Sequence, residues 1–331
     1  MNHISIIVPA GEAILSSIIS PYKIFSAVNN RMKELNNTTE DFFKVELVGI
    51  TPNTQLYDGA FTVTPHKTID DIKKTDLIVI TTINGDIPKE IENNQAFIPW
   101  IKAQRQEHNT EIASLCVGAF LLAETGLING LSCATHWMVA DLFAMTYPEI
   151  NLTPESIITE NDGIYSSGGA FSILNIILYL VGKYWGREYE IWCSKLFEIE
   201  LDRVNQNQFA IFQGQKNHED EPIKEAQNFI EQNYHQKISI EQLAKMFALS
   251  GRNFIRRFKK ATANTPVEYI QRVKVEAAKK RLEAASNDPI NEIMYNVGYS
   301  DAKAFRNVFR KHTGLSPLEY KKKYIRNYTQ A

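Results

Sequence analysis

The first residue whose surroundings suit chemistry is Cys116. It ends an apolar, β-branched run, and Gly118 and Ala119 follow closely. A strand that turns sharply into a helix here would expose the thiol and aim helix amides at it, which lowers a thiol pKa and creates an oxyanion site. His136 follows twenty residues later and could act as the base of a Cys116–His136 dyad. A buried cysteine and a core histidine fit the same pattern, so both interpretations stay open.

A second group of residues suits DNA. The stretch from Ile240 to Phe258 has the spacing of two short helices joined by a turn at residues 248–250. Phe254 and Phe258, at i and i+4, predict the buried edge of the second helix. Its other faces then carry Arg252, Asn253, Ile255, Arg256 and Lys259, and Arg257 and Lys260 of the same helix are further candidates for DNA contact. Arg pairs with guanine and Asn with adenine through two hydrogen bonds, so such a helix can recognise base edges.

The pattern repeats about fifty residues later. Ile290–Val297 predicts the first helix of this second motif and Asp301–Lys311 its second helix, with Phe305 and Phe309 as the aromatic pair. The exposed polar residues there are Lys303, Arg306, Asn307 and Lys311. We expect Arg257, Lys259, Lys260 and Lys311 to contact phosphates, and the remaining long side chains to contact bases.

The helix between the motifs is a plausible spacer. At 1.5 Å per residue, Pro266–Ala284 would be about 28 Å long. Two major-groove segments one helical turn apart lie about 34 Å apart. One chain could therefore bind both segments.

Charge divides the chain into an acidic and a basic part. Residues 222–331 carry 21 Lys and Arg against 10 Asp and Glu, whereas residues 1–221 carry 15 against 28. A basic domain of this size is typical of a protein that binds phosphate backbones.

The same division predicts the fold. At residues 1–204, β-branched runs alternate with helical patterns, which predicts an α/β domain with a doubly wound, flavodoxin-like, mostly parallel sheet. A Gln- and Asn-rich linker at 205–222 follows, and its apolar residues are expected to pack on the first domain; these are Phe209, Ile211 and Phe212. An all-α domain at 223–331 carries the two motifs at about 239–261 and 290–312. Its predicted helices are Ile223–Tyr234, Ser239–Phe247, Gly251–Ala261, Pro266–Ala284, Ile290–Val297, Asp301–Lys311 and Pro317–Tyr324.

The second half resembles a known family over roughly residues 223–324. The resemblance includes Gly298-Tyr299-Ser300-Asp301 and Thr313-Gly314-Leu315-Ser316-Pro317. These stretches are similar to the DNA-binding domain of AraC/XylS-type transcriptional regulators. The resemblance implies that the first turns of both recognition helices contact bases, through Arg252, Arg256, Lys303, Arg306 and Asn307.

The first half resembles the PfpI-like branch of the class I glutamine amidotransferase superfamily, through residues 111–122, 123–130 and 162–170. It looks like the subgroup of AraC-type regulators that carry such a domain at the N-terminus. The resemblance implies a pocket lined by Cys116, Val117, His136, Gly85 and Ser17.

This sequence departs from the active relatives in three places. Ser17 stands where they carry an acidic residue, and Thr82-Ile83-Asn84-Gly85 replaces the usual Gly-Gly after the third strand. Val117 stands where the protease-like members have His. Three interpretations remain: a non-catalytic site that senses a ligand, a residual hydrolase, amidase or hydratase, or a domain for dimerisation alone.

The sequence therefore predicts a transcriptional regulator that binds double-stranded promoter DNA and responds to a small-molecule effector. We expect a homodimer formed through the first domain, with RNA polymerase as a further candidate partner. The alternative is an enzyme with Cys116 as nucleophile and a helical appendage.

Neither a cofactor nor a metal site is predicted. The three cysteines, Cys116, Cys133 and Cys193, lie far apart and match no metal-binding spacing. Without a signal-like or membrane-spanning segment, a cytoplasmic protein is expected.

Overall fold

The computed structural model describes residues 1–201, 205–284 and 288–324. The chain forms two compact units. The first comprises Met1–Phe143 and Tyr147–Gln206, and the second comprises Ala144–Thr146 and the chain from Asn207 onward. No helix within the described ranges is long and apolar enough to cross a membrane.

A seven-stranded sheet forms the centre of the first unit. The strands of this sheet and of two smaller ones are β1 (His3–Val8), β2 (Lys44–Gly49), β3 (Thr54–Leu56), β4 (Phe61–Val63), β5 (Lys67–Thr68), β6 (Leu77–Ile80), β7 (Glu111–Ser114), β8 (Ser132–Cys133), β9 (Asn151–Leu152), β10 (Ile158–Asn161) and β11 (Ile164–Ser167). The order across the large sheet is β10-β11-β7-β6-β1-β2-β5. Its neighbouring strands are parallel except β10 and β11, so the mostly parallel sheet that the sequence predicts is confirmed.

Helices cover both faces of this sheet. They are α1 (Leu15–Leu35), α2 (Ile87–Asn93), α3 (Phe97–His108), α4 (Ala119–Glu124), α5 (Ala140–Thr146), α6 (Ser172–Trp185) and α7 (Arg187–Leu196). Successive side chains of a strand point to opposite faces of the sheet, so β1 contributes residues to the hydrophobic cores on both faces. Ile4 and Ile6 pack with Phe25 of α1 in one hydrophobic cluster, and Ile7 packs with Phe97 of α3 in the other.

The second unit is helical in its described part from Asn207 onward. Its helices are α8 (Glu221–Asn233), α9 (Ile240–Met246), α10 (Gly251–Thr262), α11 (Pro266–Glu283), α12 (Ile290–Asn296), α13 (Ala302–Thr313) and α14 (Pro317–Tyr324). Each lies within two residues of its predicted bounds. α9 and α10 form the first helix-turn-helix motif, α12 and α13 form the second, and α11 joins them.

Each motif packs around its aromatic pair. Phe254 and Phe258 of α10 are fully buried, and the ring of Tyr269 meets Phe258 edge-on at a centroid distance of 5.3 Å. In the second motif the corresponding rings belong to Phe305, Phe309 and Tyr320. The predicted role of both aromatic pairs is confirmed.

Side chains cap the helices of the motifs. The Thr265 hydroxyl accepts the Glu268 amide at 3.3 Å, and the Glu268 carboxylate accepts the Thr265 amide at 3.0 Å, which completes a capping box at the start of α11. Ser239 accepts the Gln242 amide at 3.1 Å at the start of α9. The boundaries of the short helices therefore follow from local sequence.

The expected packing of the linker on the first domain is wrong for Phe212. Its ring meets Tyr269 edge-on at 5.0 Å, and the Arg272 guanidinium lies 4.4 Å from its centroid. The Phe212 amide also donates to the Glu276 carboxylate at 3.1 Å. Phe212 thus belongs to the second unit because α11 offers it an aromatic ring, a cation and an acceptor.

Candidate functional site

The strand-to-helix turn that the sequence predicts at Cys116 is present. β7 ends at Ser114, and Cys116 opens a 3₁₀ turn that leads into α4. The φ of Cys116 is +56°, a left-handed conformation that is uncommon outside glycine. Only 5% of the residue is exposed, however. The backbone therefore has the shape of a nucleophile elbow, but the thiol is not presented to solvent.

The surroundings of the thiol favour its neutral form. The backbone of Ala170 and Val117 and the side chain of Thr82 each lower the pKa of the Cys116 thiol and so favour a thiolate. Burial opposes them with the larger effect, so the pKa of the Cys116 thiol is raised. The expected lowering of this pKa is therefore wrong, because the elbow is closed over by its neighbours.

His136 is oriented by its own backbone neighbours. Its Nδ1 accepts the Met138 amide at 3.0 Å and caps the 3₁₀ turn Trp137–Val139. Burial lowers the pKa of the imidazole. The neutral ring then carries its proton on Nε2 and cannot accept a thiol proton there. Within the described ranges, no hydrogen bond joins His136 to Cys116, so the candidate dyad is not assembled.

The loop Gly168–Ala170 contacts both candidate residues. The Ala170 backbone hydrogen-bonds the Cys116 thiol. Gly169 packs so closely on the His136 ring that a Cβ at position 169 would overlap its Cδ2 atom. This loop therefore lies against Cys116 and His136 together, although no hydrogen bond joins the thiol and the ring within the described ranges.

Ser17 is hydrogen-bonded to Thr82 beside the site, whereas Gly85 lies apart from the site. The buried Ser17 hydroxyl donates to the Ile14 carbonyl at 2.7 Å and accepts the Thr82 amide at 3.0 Å. It therefore reaches Cys116 only through Thr82. Gly85 is exposed, and its nearest neighbour is the Glu12 side chain at 3.8 Å from where a Cβ would stand. Among the residues that the structure places, no group of three His, Cys, Asp or Glu suits a metal ion.

The recognition helix α10 presents its cations to solvent. Arg252, Arg256 and Lys260 are exposed on the faces opposite the aromatic pair. Asn253 is half-buried, and its Oδ1 accepts the Arg256 guanidinium at 3.0 Å. Asn253 therefore orients Arg256 instead of standing free.

The recognition helix α13 repeats this layout. Its exposed polar side chains include the predicted Lys303, Arg306, Asn307 and Lys311, and also Arg310. Asp301 caps the helix by accepting the Ala304 amide. Both motifs thus combine a buried aromatic edge with an exposed, cationic first half.

Comparison with known proteins supports the same division. The DJ-1/PfpI family model matches residues 18–181, and a helix-turn-helix domain model matches residues 243–323. The HTH-type transcriptional regulator GbdR of Pseudomonas aeruginosa is 22% identical over 78% of this chain and 69% of that protein. The HTH-type transcriptional regulator CdhR of the same species is 20% identical over 87% of this chain and 84% of that protein. The chain is an AraC-type transcriptional regulator with a DJ-1/PfpI domain.

A solved structure shows the fold as well. The crystal structure of a putative transcriptional regulator protein from Vibrio parahaemolyticus covers 59% of this regulator and matches over 98% of its own length, with a TM-score of 0.52 and 22% identity. The chain is thus a DNA-binding regulator of the helix-turn-helix type.

One of the regulator's predicted DNA contacts is engaged elsewhere. The Arg257 guanidinium donates to both carboxylate oxygens of Asp220, at 2.9 and 2.6 Å. Asp220 also caps α8 by accepting the Ile223 amide. Arg257 therefore fastens α8 to the recognition helix and is not available to a phosphate in this structure.

Gln206 is a residue of the regulator's first unit that the sequence does not single out. The sequence predicts that it lies in the linker, yet it is 1% exposed. Its Oε1 accepts the Gly169 amide at 2.9 Å, and its Nε2 donates to the Thr135 and Pro154 carbonyls at 2.9 and 2.8 Å. The Gln206 amide thus holds the loop that contacts the Cys116 sulfur. The only local signal is an amide side chain in a polar run, which is equally typical of an exposed linker.

The buried thiol of the regulator has a measurable consequence. Because burial raises its pKa, we expect Cys116 to react with iodoacetamide only at alkaline pH, with a midpoint above the value of about 8.5 for a free cysteine. Peptide mass spectrometry across a pH series reports each cysteine separately. Cys133, whose pKa is raised to about 11, serves as the internal comparison. A Cys116 midpoint near pH 7 would contradict this account and restore a catalytic role.

Proposed function

We propose that the regulator senses a small-molecule effector at the Cys116 elbow without chemically converting it, and that the effector changes how the second unit binds promoter DNA. The proposal rests on the position of Gln206. This residue belongs to the wall of the candidate site through the Gly169 amide, and it directly precedes the first residue of the DNA-binding unit. An effector that moved the Gly169 loop would therefore also move Gln206, the last residue of the first unit.

The connection to the second unit is short. Only Asn207, Gln208 and Phe209 separate Gln206 from Ala210, whose carbonyl accepts the Lys279 ammonium of α11. Phe212 follows and packs on Tyr269. Gln208 is also held by the second unit, because its carbonyl accepts the Tyr324 hydroxyl of α14 at 2.9 Å. The chain is therefore anchored in the first unit at residue 206 and in the second unit from residue 208, so only Asn207 lies between the two anchored residues.

The chemistry of the elbow supports sensing over catalysis. Nucleophilic catalysis by cysteine needs a thiolate and a base within hydrogen-bond reach. Here the thiol pKa is raised, and His136 Nδ1 is occupied by the Met138 amide. Ser17 supplies no carboxylate, because its hydroxyl is used by Ile14 and Thr82. The groups needed for turnover are thus either protonated or already bonded.

For DNA, we propose base contacts by the exposed long side chains in the first halves of the recognition helices. These are Arg252, Arg256, Lys303, Arg306 and Asn307. Asn253 positions Arg256, as their hydrogen bond indicates. Phosphate contacts are assigned to Lys259, Lys260 and Lys311, all exposed. Arg257 is left out of the set because Asp220 holds it.

We further propose that the regulator acts in the cytoplasm as a homodimer through its first unit, with RNA polymerase as its partner at the promoter. Two second units would then lie on neighbouring DNA segments, and each dimer would contact more phosphates than a monomer.

The DNA contacts can be tested on a duplex that the purified full chain selects from a randomised pool. Arg256→Ala combined with Asn307→Ala should weaken binding by about 30-fold or more, since each bidentate base contact is worth about 1–3 kcal/mol. Gel-shift titration at fixed salt measures this loss. Arg257→Ala, on the same helix, is the matched control and should leave the sequence preference intact. An unchanged affinity in the double variant would refute the assignment.

The role of Gln206 can be tested with a metabolite that raises the melting temperature of the regulator in a thermal-shift screen. We expect this compound to change the DNA affinity of the wild type, within the roughly 5- to 150-fold range usual for coupled sites. Gln206→Ala also loosens the wall of the site and should need more compound for the same thermal shift, but at a concentration that restores this shift it should still lose the effect on DNA affinity. Gln213→Ala, an exposed glutamine of the same segment, should behave like the wild type. A Gln206→Ala protein that still responds would exclude this route.

The oligomeric state can be tested by sedimentation equilibrium of the full chain, which should give twice the mass of one chain. Amide hydrogen exchange at low and high protein concentration should show protection in residues 1–206 on dimer formation. A monomer at all concentrations, or protection confined to the second unit, would contradict the proposed dimer.

A further inference from the structure

The second unit contains a buried lysine that the DNA-binding surface does not use. Lys274 lies midway along α11, the helix that joins the two motifs, and it is 7% exposed. Burying an ammonium costs free energy unless its donors are satisfied. Burial accordingly lowers the pKa of Lys274. A charge held at this cost needs a physical reason.

The partners of Lys274 come from both motifs. Its Nζ donates to the carbonyl of Gln236, which precedes the first helix of the first motif, at 3.3 Å. It also donates to the carbonyl of Gly298, in the turn of the second motif, at 2.9 Å. The ammonium lies 5.2 Å from the ring centroid of Tyr299, the next residue of that turn. One cation thus holds two backbone segments that are 62 residues apart in sequence.

Gly298 allows these segments to meet. Its φ is +77°, and a Cβ at this position would lie 2.5 Å from the His235 carbonyl oxygen and 2.7 Å from Lys274 Nζ. Any larger residue would push the turn away from residues 235–236. The turn of the second motif therefore rests directly on the segment that leads into the first motif.

The packing beside this contact is open. A cleft of about 300 Å³ is lined by Glu241 of the first motif and by Ile270 and Tyr299, next to Lys274 itself. Because side chains do not fill this cleft, apolar packing there cannot fix the angle between the motifs. A directional, charge-assisted contact can do so.

We propose that Lys274 is a positioning residue that sets the spacing between the two recognition helices. This inference rests on the proposed binding of two successive major-groove segments by one chain. Lys274 touches no DNA; it fixes the geometry in which both motifs bind at once. Two linked motifs gain affinity only when their separation matches that of their sites. Loosening the contact should therefore reduce binding to two correctly spaced segments while sparing each segment alone.

The test uses the duplex that the full chain selects, versions with one or two base pairs inserted between the two segments, and a version with one segment scrambled. Wild type should lose about 10-fold or more in affinity on insertion, because the motifs cannot follow the changed spacing. Lys274→Met should bind the uninserted duplex about 10-fold more weakly and discriminate insertions by less than about 3-fold. Its affinity for the single-segment duplex should match that of the wild type.

Two further variants separate a positioning role from a general charge effect. Lys274→Arg keeps a buried donor cation and should retain the spacing preference. Lys280→Met removes an exposed cation from the same helix and should also retain it. A Lys274→Met protein that keeps the full spacing preference overturns the inference.

The remaining outcomes are also decisive. If Lys274→Met no longer folds, Gly298→Ala opens the contact from the other side, and an unchanged spacing preference in that variant overturns the inference. If the wild type selects a duplex with only one recognised segment, the proposed two-segment binding fails, and that result is distinct from a failure of Lys274 alone.

Discussion

Each recognition helix can face DNA only because one pair of phenylalanines holds its opposite side in the core. Phe254 and Phe258 are buried in one motif, and Phe305 and Phe309 in the other. Burying a phenylalanine side chain is worth about 1.5–3 kcal/mol, so these pairs decide which way each helix is turned. Every exposed cation of α10 and α13 has its direction set by this burial. The contact of Arg257 then fixes how α8 lies against α10, and the contacts of Lys274 fix how the two motifs lie relative to each other.

In the first unit, burial has a different effect, because it suppresses the reactivity of the Cys116 thiol. The elbow at Cys116 keeps the backbone of a reactive site, including a left-handed φ and two backbone groups that favour a thiolate. Burial makes the thiol hard to ionise, and the hydrogen bond from Met138 occupies the nitrogen of His136 that a dyad would need. The elbow thus keeps the backbone shape of a reactive site, while its thiol is buried and held in the neutral form.

Much of this architecture could be predicted from sequence because its signals are local. The seven helices in the described part of the second unit follow from i, i+4 spacing and from caps such as Thr265 and Ser239. The strands of the first unit follow from short β-branched runs. The elbow was predictable in shape, because a strand, a glycine-containing turn and a helix are adjacent in the chain.

The features that could not be predicted from the sequence involve residues that are far apart in the chain. Arg257 binds Asp220, 37 residues away, and Gln206 binds Gly169 and Thr135 at similar or greater separations. The raised pKa of Cys116 depends on how its neighbours close over it, which no local pattern records. Phe212 belongs to the second unit because α11 presents Tyr269. Each of these residue types occurs in several environments, both buried and exposed. Only tertiary packing decides which environment a given residue has.

The burial of Gln206 also determines how such proteins can be recombined. A hybrid that joined residues 1–204 of this sensor, the boundary suggested by sequence, to another DNA-binding unit would lack Gln206, so the carbonyls of Thr135 and Pro154 would lose their donor. Fusion after Gln206 would keep the sensor intact as an exchangeable module. Domain shuffling in evolution would meet the same restriction, since crossover points upstream of this glutamine would yield a damaged sensor together with an intact DNA-binding half.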